Sequence, residues 1–111
     1  MDITCEHAGD TLIARIHATR IDAAAAIRFK DRMREVLQAA APRVVLDLSR
    51  VDFLDSSGLG AVVAVKKLAG PGRNLELAAL TPTVQKVFRL TRMDQVFTIH
   101  PNAPAGVRHV G

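Results

Sequence analysis

Residues Val44 to Gly60 read Val-Val-Leu-Asp-Leu-Ser-Arg-Val-Asp-Phe-Leu-Asp-Ser-Ser-Gly-Leu-Gly. Val44 to Leu48 is β-branched and aliphatic, with Val44, Leu46 and Leu48 on one face, as a buried central strand requires. Val51, Phe53 and Leu54 extend the core beyond it. Asp55, Ser56 and Ser57 stand just before a helical run that ends near Ala69, where Gly70, Pro71 and Gly72 supply the stop. The unit is a strand, a loop and a helix.

Working outward toward the N-terminus, Asp22 can cap a helix running to about Ala40, because its carboxylate accepts from unpaired first-turn N–H groups. Ala26, Phe29, Met33, Val36, Leu37 and Ala40 recur at three- and four-residue steps and form one apolar stripe. Pro42 marks the end. Before it, Leu12, Ala14, Ile16 and Ala18 alternate with Thr11, Ile13, Arg15 and His17, the period of a strand, and Ile3 to Glu6 pairs with it across the turn residues His7 to Asp10.

Toward the C-terminus, Leu75, Leu77 and Ala79 mark another strand. Thr81 with Pro82 opens a third helix, whose buried face is Val84, Val87, Phe88 and Thr91. Val96 to Ile99 makes the last strand. This reading predicts a single α/β domain over residues 1–100, with the order β-β-α-β-α-β-α-β, a mixed sheet and helices packed on it. The later strands pair in parallel through helical crossovers. Residues 101–111 read as a loose C-terminal tail, and Pro101, Pro104 and Gly106 argue against a further helix there.

The composition is that of a folded domain. In 111 residues, 49% are hydrophobic and 23% charged, enough apolar surface to offset the entropy of ordering one chain. No apolar run reaches the ~18 residues of a membrane helix, since Leu59 to Val65 is cut off by Lys66 and Lys67. Asp2 and Glu6 occupy the place where a secretory signal carries positive charge. A single cysteine, Cys5, cannot close an internal disulfide, which suits a reducing compartment, so the expectation is a cytoplasmic protein without membrane attachment. Cys5, Met33 and Met93 read as packing residues.

The net charge of +4 raises the question of nucleic acid. Its cations are spread along the chain among acids, and with no Trp, no Tyr and four Phe there are few platforms for stacking bases. The reading is a solvated, mildly basic surface with no direct nucleic-acid contact. An enzyme would need more than Ser56 or Ser57: the turn is not Gly-x-Ser-x-Gly, and no oxyanion loop is evident. His7, His17, His100 and His109 lie far apart without metal-ligand spacing, so no metal, cofactor or catalytic residue is expected.

A serine at a helix start is exposed, lies beside unpaired N–H groups, and here is followed by Gly58, which has no side chain to block approach. By that chemistry alone Ser56 and Ser57 are equally well read as capping serines or as a modification site. The strand-loop-helix stretch from Val44 to Gly60, continued by Leu75 to Leu80, Thr81, Pro82, Val84, Val87, Phe88 and Leu90, closely resembles the signature of STAS domains. Within them it resembles the bacterial anti-sigma factor antagonists, over about Asp10 to Ile99.

That resemblance implies a partner switch. An unphosphorylated antagonist binds an anti-sigma factor that is a serine kinase of the GHKL type, and the sigma factor is freed. The kinase phosphorylates the antagonist and a metal-dependent serine phosphatase reverses this. The phosphoacceptor is the residue after the Asp, hence Ser56, with Ser57 as the neighbouring runner-up. The partner surface carried over is Asp22, Asp55, Ser56, Ser57, Gly58 and Leu59, on a domain expected to be a monomer when free. The sequence departs from the family in two places. The loop Gly-Glu-Leu-Asp or Gly-Glu-Ile-Asp becomes Thr19, Arg20, Ile21 and Asp22, which keeps the Asp and reverses a charge at Arg20, and Pro101, Pro104 and Gly106 argue against the further C-terminal helix that family members usually carry. The loop change would alter partner specificity or stabilise the phosphorylated state. The alternative reading is a STAS module that senses a small ligand, or a scaffold regulating a target other than a sigma factor.

Overall fold

In the computed structural model, which describes residues 1–103, seven strands and three helices alternate. They are β1 (Ile3–Ala8), β2 (Thr11–Ile16), β3 (Arg20–Ile21), α1 (Ala23–Val36), β4 (Arg43–Asp47), β5 (Phe53–Leu54), α2 (Ser56–Ala69), β6 (Asn74–Ala78), α3 (Pro82–Leu90) and β7 (Ile99–His100). Five strands form a mixed sheet in the order β1-β2-β4-β6-β7, antiparallel at β1 and β2 and parallel thereafter. The expected mixed α/β domain is therefore observed. Most of the tail, residues 104–111, lies outside the described residues.

The sheet divides its side chains by strand alternation. Leu12, Ala14 and Ile16, then Val44, Leu46 and Leu48, then Leu75 and Leu77 join one core with Phe29 and Met33 of α1, Val62 and Val65 of α2, and Val84 and Phe88 of α3. Phe29 and Phe88 are fully enclosed, and each such side chain contributes about 1.5–3 kcal/mol of transfer free energy. Phe97 meets Phe88 edge to face, with ring centroids 5.8 Å apart.

The other face carries charge. Arg15 Nη1 donates to Glu6 Oε1 at 2.6 Å, and Arg15 Nε lies 3.5 Å from Asp47 Oδ2. Arg43 Nη2 approaches Glu76 Oε1 at 2.8 Å, and His100 Nε2 lies 2.7 Å from the same oxygen. Several of the basic residues that give the chain its positive charge are thus engaged across strands.

The structure differs from the sequence reading in several places: β1 runs on to Ala8, β6 stops at Ala78, and α2 already begins at Ser56. Helix α1 ends at Val36 rather than near Ala40, because Gln38 and Ala39 donate to carbonyls three residues back and tighten the chain out of the α form. The freed Ala39 carbonyl accepts from Arg73 Nη1 at 2.9 Å. The last strand is Ile99–His100, not Val96 to Ile99, since Met93–Gln95 forms a 3₁₀ turn closed by Val96 and Phe97 donating to the Met93 carbonyl. Thr81 occupies the N-cap of α3, but its hydroxyl donates to the Val51 carbonyl at 2.7 Å instead of capping. Finally, β3 and β5, two residues each, pair with one another in a small separate parallel sheet.

Candidate functional site

The small sheet aligns Arg20 with Phe53 and Ile21 with Leu54, and each strand then enters a helix through one aspartate. Asp22 has φ −92° and ψ −171°, and Asp55 has φ −95° and ψ −171°, so the same extended step is made twice. Asp22 Oδ1 accepts from the Ala25 N–H at 3.1 Å, and Asp55 Oδ1 from the Gly58 N–H at 2.9 Å. Each carboxylate satisfies an orphan donor and places negative charge at the positive helix end. Parallel pairing with equal strand lengths starts α1 and α2 side by side.

Gly58 sets how close they come. A Cβ built on it would lie 2.1 Å from the Ile21 carbonyl oxygen, so only a residue without a side chain lets the first turn of α2 rest on β3. Gly58 is buried, so what it offers here is this backbone contact and not an exposed surface. The loop is held further by Asp52 and Phe53, whose N–H groups donate to the Thr19 carbonyl at 2.8 and 3.2 Å.

Ser56 and Ser57, the first two residues of α2, are exposed, and their N–H groups lie outside the intrahelical ladder. Asp22, Asp55 and Leu59 are half-buried around them, with Leu59 packed against the core. The structure thus gathers Asp22, Asp55, Ser56, Ser57, Gly58 and Leu59 at one end of the domain. A reactant could reach the Ser56 hydroxyl from solvent, and an anion attached there would face free N–H donors at a helix N-terminus.

Several residues took other places than the sequence suggested, and Ala40 and Thr91, read onto buried helix faces, are exposed. Phe53 was expected in the core, yet it is only half-buried and carries the Arg20 guanidinium 4.1 Å from its ring centroid. The signal was available: adjacent strand residues point to opposite faces, so Phe53 and Leu54 cannot both face inward. Cys5, expected as packing, is exposed on the edge strand β1. Desolvation pushes its thiol above the usual value, with the Arg32 charge opposing, which is the reverse of an activated thiolate. Among the described residues no group of three or more His, Cys, Asp and Glu side chains is placed to hold a metal ion, and no helix is long and apolar enough to cross a membrane.

Comparison with known proteins agrees with this fold. The family model described as the STAS domain matches residues 2–105. A protein of Bordetella bronchiseptica named as the anti-sigma factor antagonist BtrV is 30% identical over 100 residues, 89% of this chain and 85% of that one. A STAS-domain containing protein of Pseudomonas aeruginosa is 36% identical over 83 residues, covering 72% of this chain and 79% of the relative. Among solved structures, an anti-sigma-factor antagonist (STAS) domain protein from Planctomyces limnophilus superposes with a TM-score of 0.82 at 19% identity, over 98% of this chain and 97% of that one.

Proposed function

This chain belongs to the STAS domain family, and from that premise we propose that it is an anti-sigma factor antagonist working by partner switching, with Ser56 as its phosphoacceptor. The observation that carries the reading is the exposed Ser56 directly after the Asp55 cap, on a surface shared with the start of α1. In the unphosphorylated state this end is a neutral hydroxyl flanked by two carboxylates already engaged as caps. An anti-sigma factor can cover the hydroxyl without desolvating a phosphate dianion. The partner in this reading is a serine kinase of the GHKL type. It transfers the γ-phosphoryl group of ATP to Ser56 Oγ, so that the new O–P bond replaces the bond to the β-phosphate oxygen and ADP leaves. A metal-dependent phosphatase returns the serine by hydrolysis.

Phosphorylation adds about −1.5 to −2 charges. In the free domain that charge meets the positive end of α2 and is tolerated. Against a covering partner it has to be desolvated beside Asp55, at a cost of several kcal/mol. Because ~4 kcal/mol changes a dissociation constant about a thousandfold, one phosphate is sufficient to empty the interface. The domain contributes recognition and a charge switch, and it works in the cytoplasm, where the sigma factor acts. Affinity capture with Ser56→Ala tests the reading. The variant should retain an anti-sigma factor with kinase activity that phosphorylated protein does not; equal recovery by both would reject the switch.

A further inference from the structure

Resting on Ser56 as the phosphoacceptor, we infer that Arg20 is a resident clamp for the phosphate on that serine. Ile21 and Leu54 are buried, so their neighbours Arg20 and Phe53 stand on the outer face of the β3–β5 ladder. Asp22 and Asp55 follow two residues later in the chain as the caps of α1 and α2, and Ser56 comes next. The guanidinium is held 4.1 Å from the Phe53 ring centroid, which orders a long side chain before any ligand arrives. Among the described residues Arg20 forms no ion pair, even with the two aspartates that follow the β3–β5 ladder.

A guanidinium lying over a ring still has N–H groups to offer elsewhere. Those donors form a planar fork that matches two phosphate oxygens, a geometry that a lysine or a carboxylate cannot supply. The phosphate on Ser56 therefore meets donors from two directions, the unpaired N–H groups of α2 and the edge of Arg20. It is held as the dianion, the phosphorylated state is stabilised, and the same arginine is withdrawn from any partner carboxylate. A glutamate, the residue that STAS antagonists of this type usually carry at the position, would repel the phosphate instead.

The test uses the full chain with phosphoserine installed at position 56 during translation, so that no kinase is involved, and follows its second ionisation by phosphorus NMR. The midpoint of the parent should lie about half a unit or more below that of Arg20→Ala, because a cation at contact distance favours the dianion. Arg20→Glu should titrate higher still, and Lys67→Ala, at the far end of α2, should follow the parent. The clamp is overturned if Arg20→Ala and Arg20→Glu titrate with the parent, or if Lys67→Ala shifts the midpoint as much as they do. Failure of the kinase to modify Ser56 would reject the switch and leave this titration standing, so the two ideas fail separately.

Discussion

The Gly58 Cα and the Ile21 carbonyl oxygen are packed so closely that a methyl group on the glycine would lie 2.1 Å from the oxygen. Through this contact the helix bearing the candidate phosphoacceptor is seated against the strand that leads into the other helix of the site. Because the obstacle is backbone, it cannot swing aside as a side chain would.

Gly58→Ala should therefore destabilise the domain by about 1–3 kcal/mol, as overpacking does, even though alanine is the better helix former by about 1 kcal/mol. It should also move the α2 start away from Ile21 and weaken partner binding beyond what the loss of stability explains. Thermal melts and calorimetric titration against the anti-sigma factor read the two effects. Parental melting would mean that the contact is not tight in solution.

Incubation with the cognate kinase and ATP should place one phosphate on Ser56. Peptide mass spectrometry distinguishes the neighbours: phosphate on Ser57 alone, or phosphorylation persisting in Ser56→Ala, would refute the assignment.

Ser56→Asp separates stability from binding. An acid in the first turn is favourable by about 0.3 to 1 kcal/mol, so the variant should melt at or slightly above the parent. Its affinity for the anti-sigma factor should drop at least tenfold, which corresponds to about 1.4 kcal/mol. Parental affinity, or lost binding explained by unfolding, would end the electrostatic account.

At Asp22 the cap and the charge can be parted. Asp22→Asn keeps an acceptor for the Ala25 N–H and should cost little stability, whereas Asp22→Ala should lose about 1 kcal/mol. If Asp22→Asn binds the partner and is phosphorylated like the parent, the carboxylate serves only as a cap.

Acid should loosen the far face of the sheet. Burial raises the Glu76 carboxyl, but hydrogen bonds from Arg43 and His100 and their charges outweigh it and hold the group below the usual range. A depressed carboxylate contributes its full stability above the unfolded value of about 4.3 and loses it as pH falls through the folded value. Glu76→Gln should therefore be less stable than the parent at neutral pH, with the gap closing below about pH 4. A constant gap across a pH series of melts would show that the contacts with Arg43 and His100 carry none of it.

Much of this protein is legible in local sequence. The apolar run of β4 and the stripe of α1 from Ala26 to Val36 report burial directly, because side-chain direction repeats with backbone geometry, whereas Ile13 and Ala78 are buried on the sheet face that alternation assigned to the outside. The caps at Asp22 and Asp55 are equally local, since donor and acceptor lie three residues apart. Gly70, at φ +83°, ends α2 where it was expected. The resemblance carried by Val44 to Gly60 reached the STAS family, whose model matches residues 2–105.

What the chain alone did not display depends on segments distant in sequence becoming neighbours in space. The pairing of β3 with β5 involves strands too short for any periodicity, yet it aligns the two aspartate steps and sets the helix starts side by side. The need for glycine at position 58 comes from a carbonyl 37 residues earlier in the chain, and the Thr81 hydroxyl leaves its cap for a carbonyl 30 residues away. Arg20 appeared in the sequence only as a reversed charge, and its stacking on Phe53 became visible once the ladder put them opposite each other. Hydrophobic periodicity and capping are properties of a few consecutive residues and survive in the linear sequence. Contact between backbones, and the place of a charge on a ring, exist only after the core has brought the segments together.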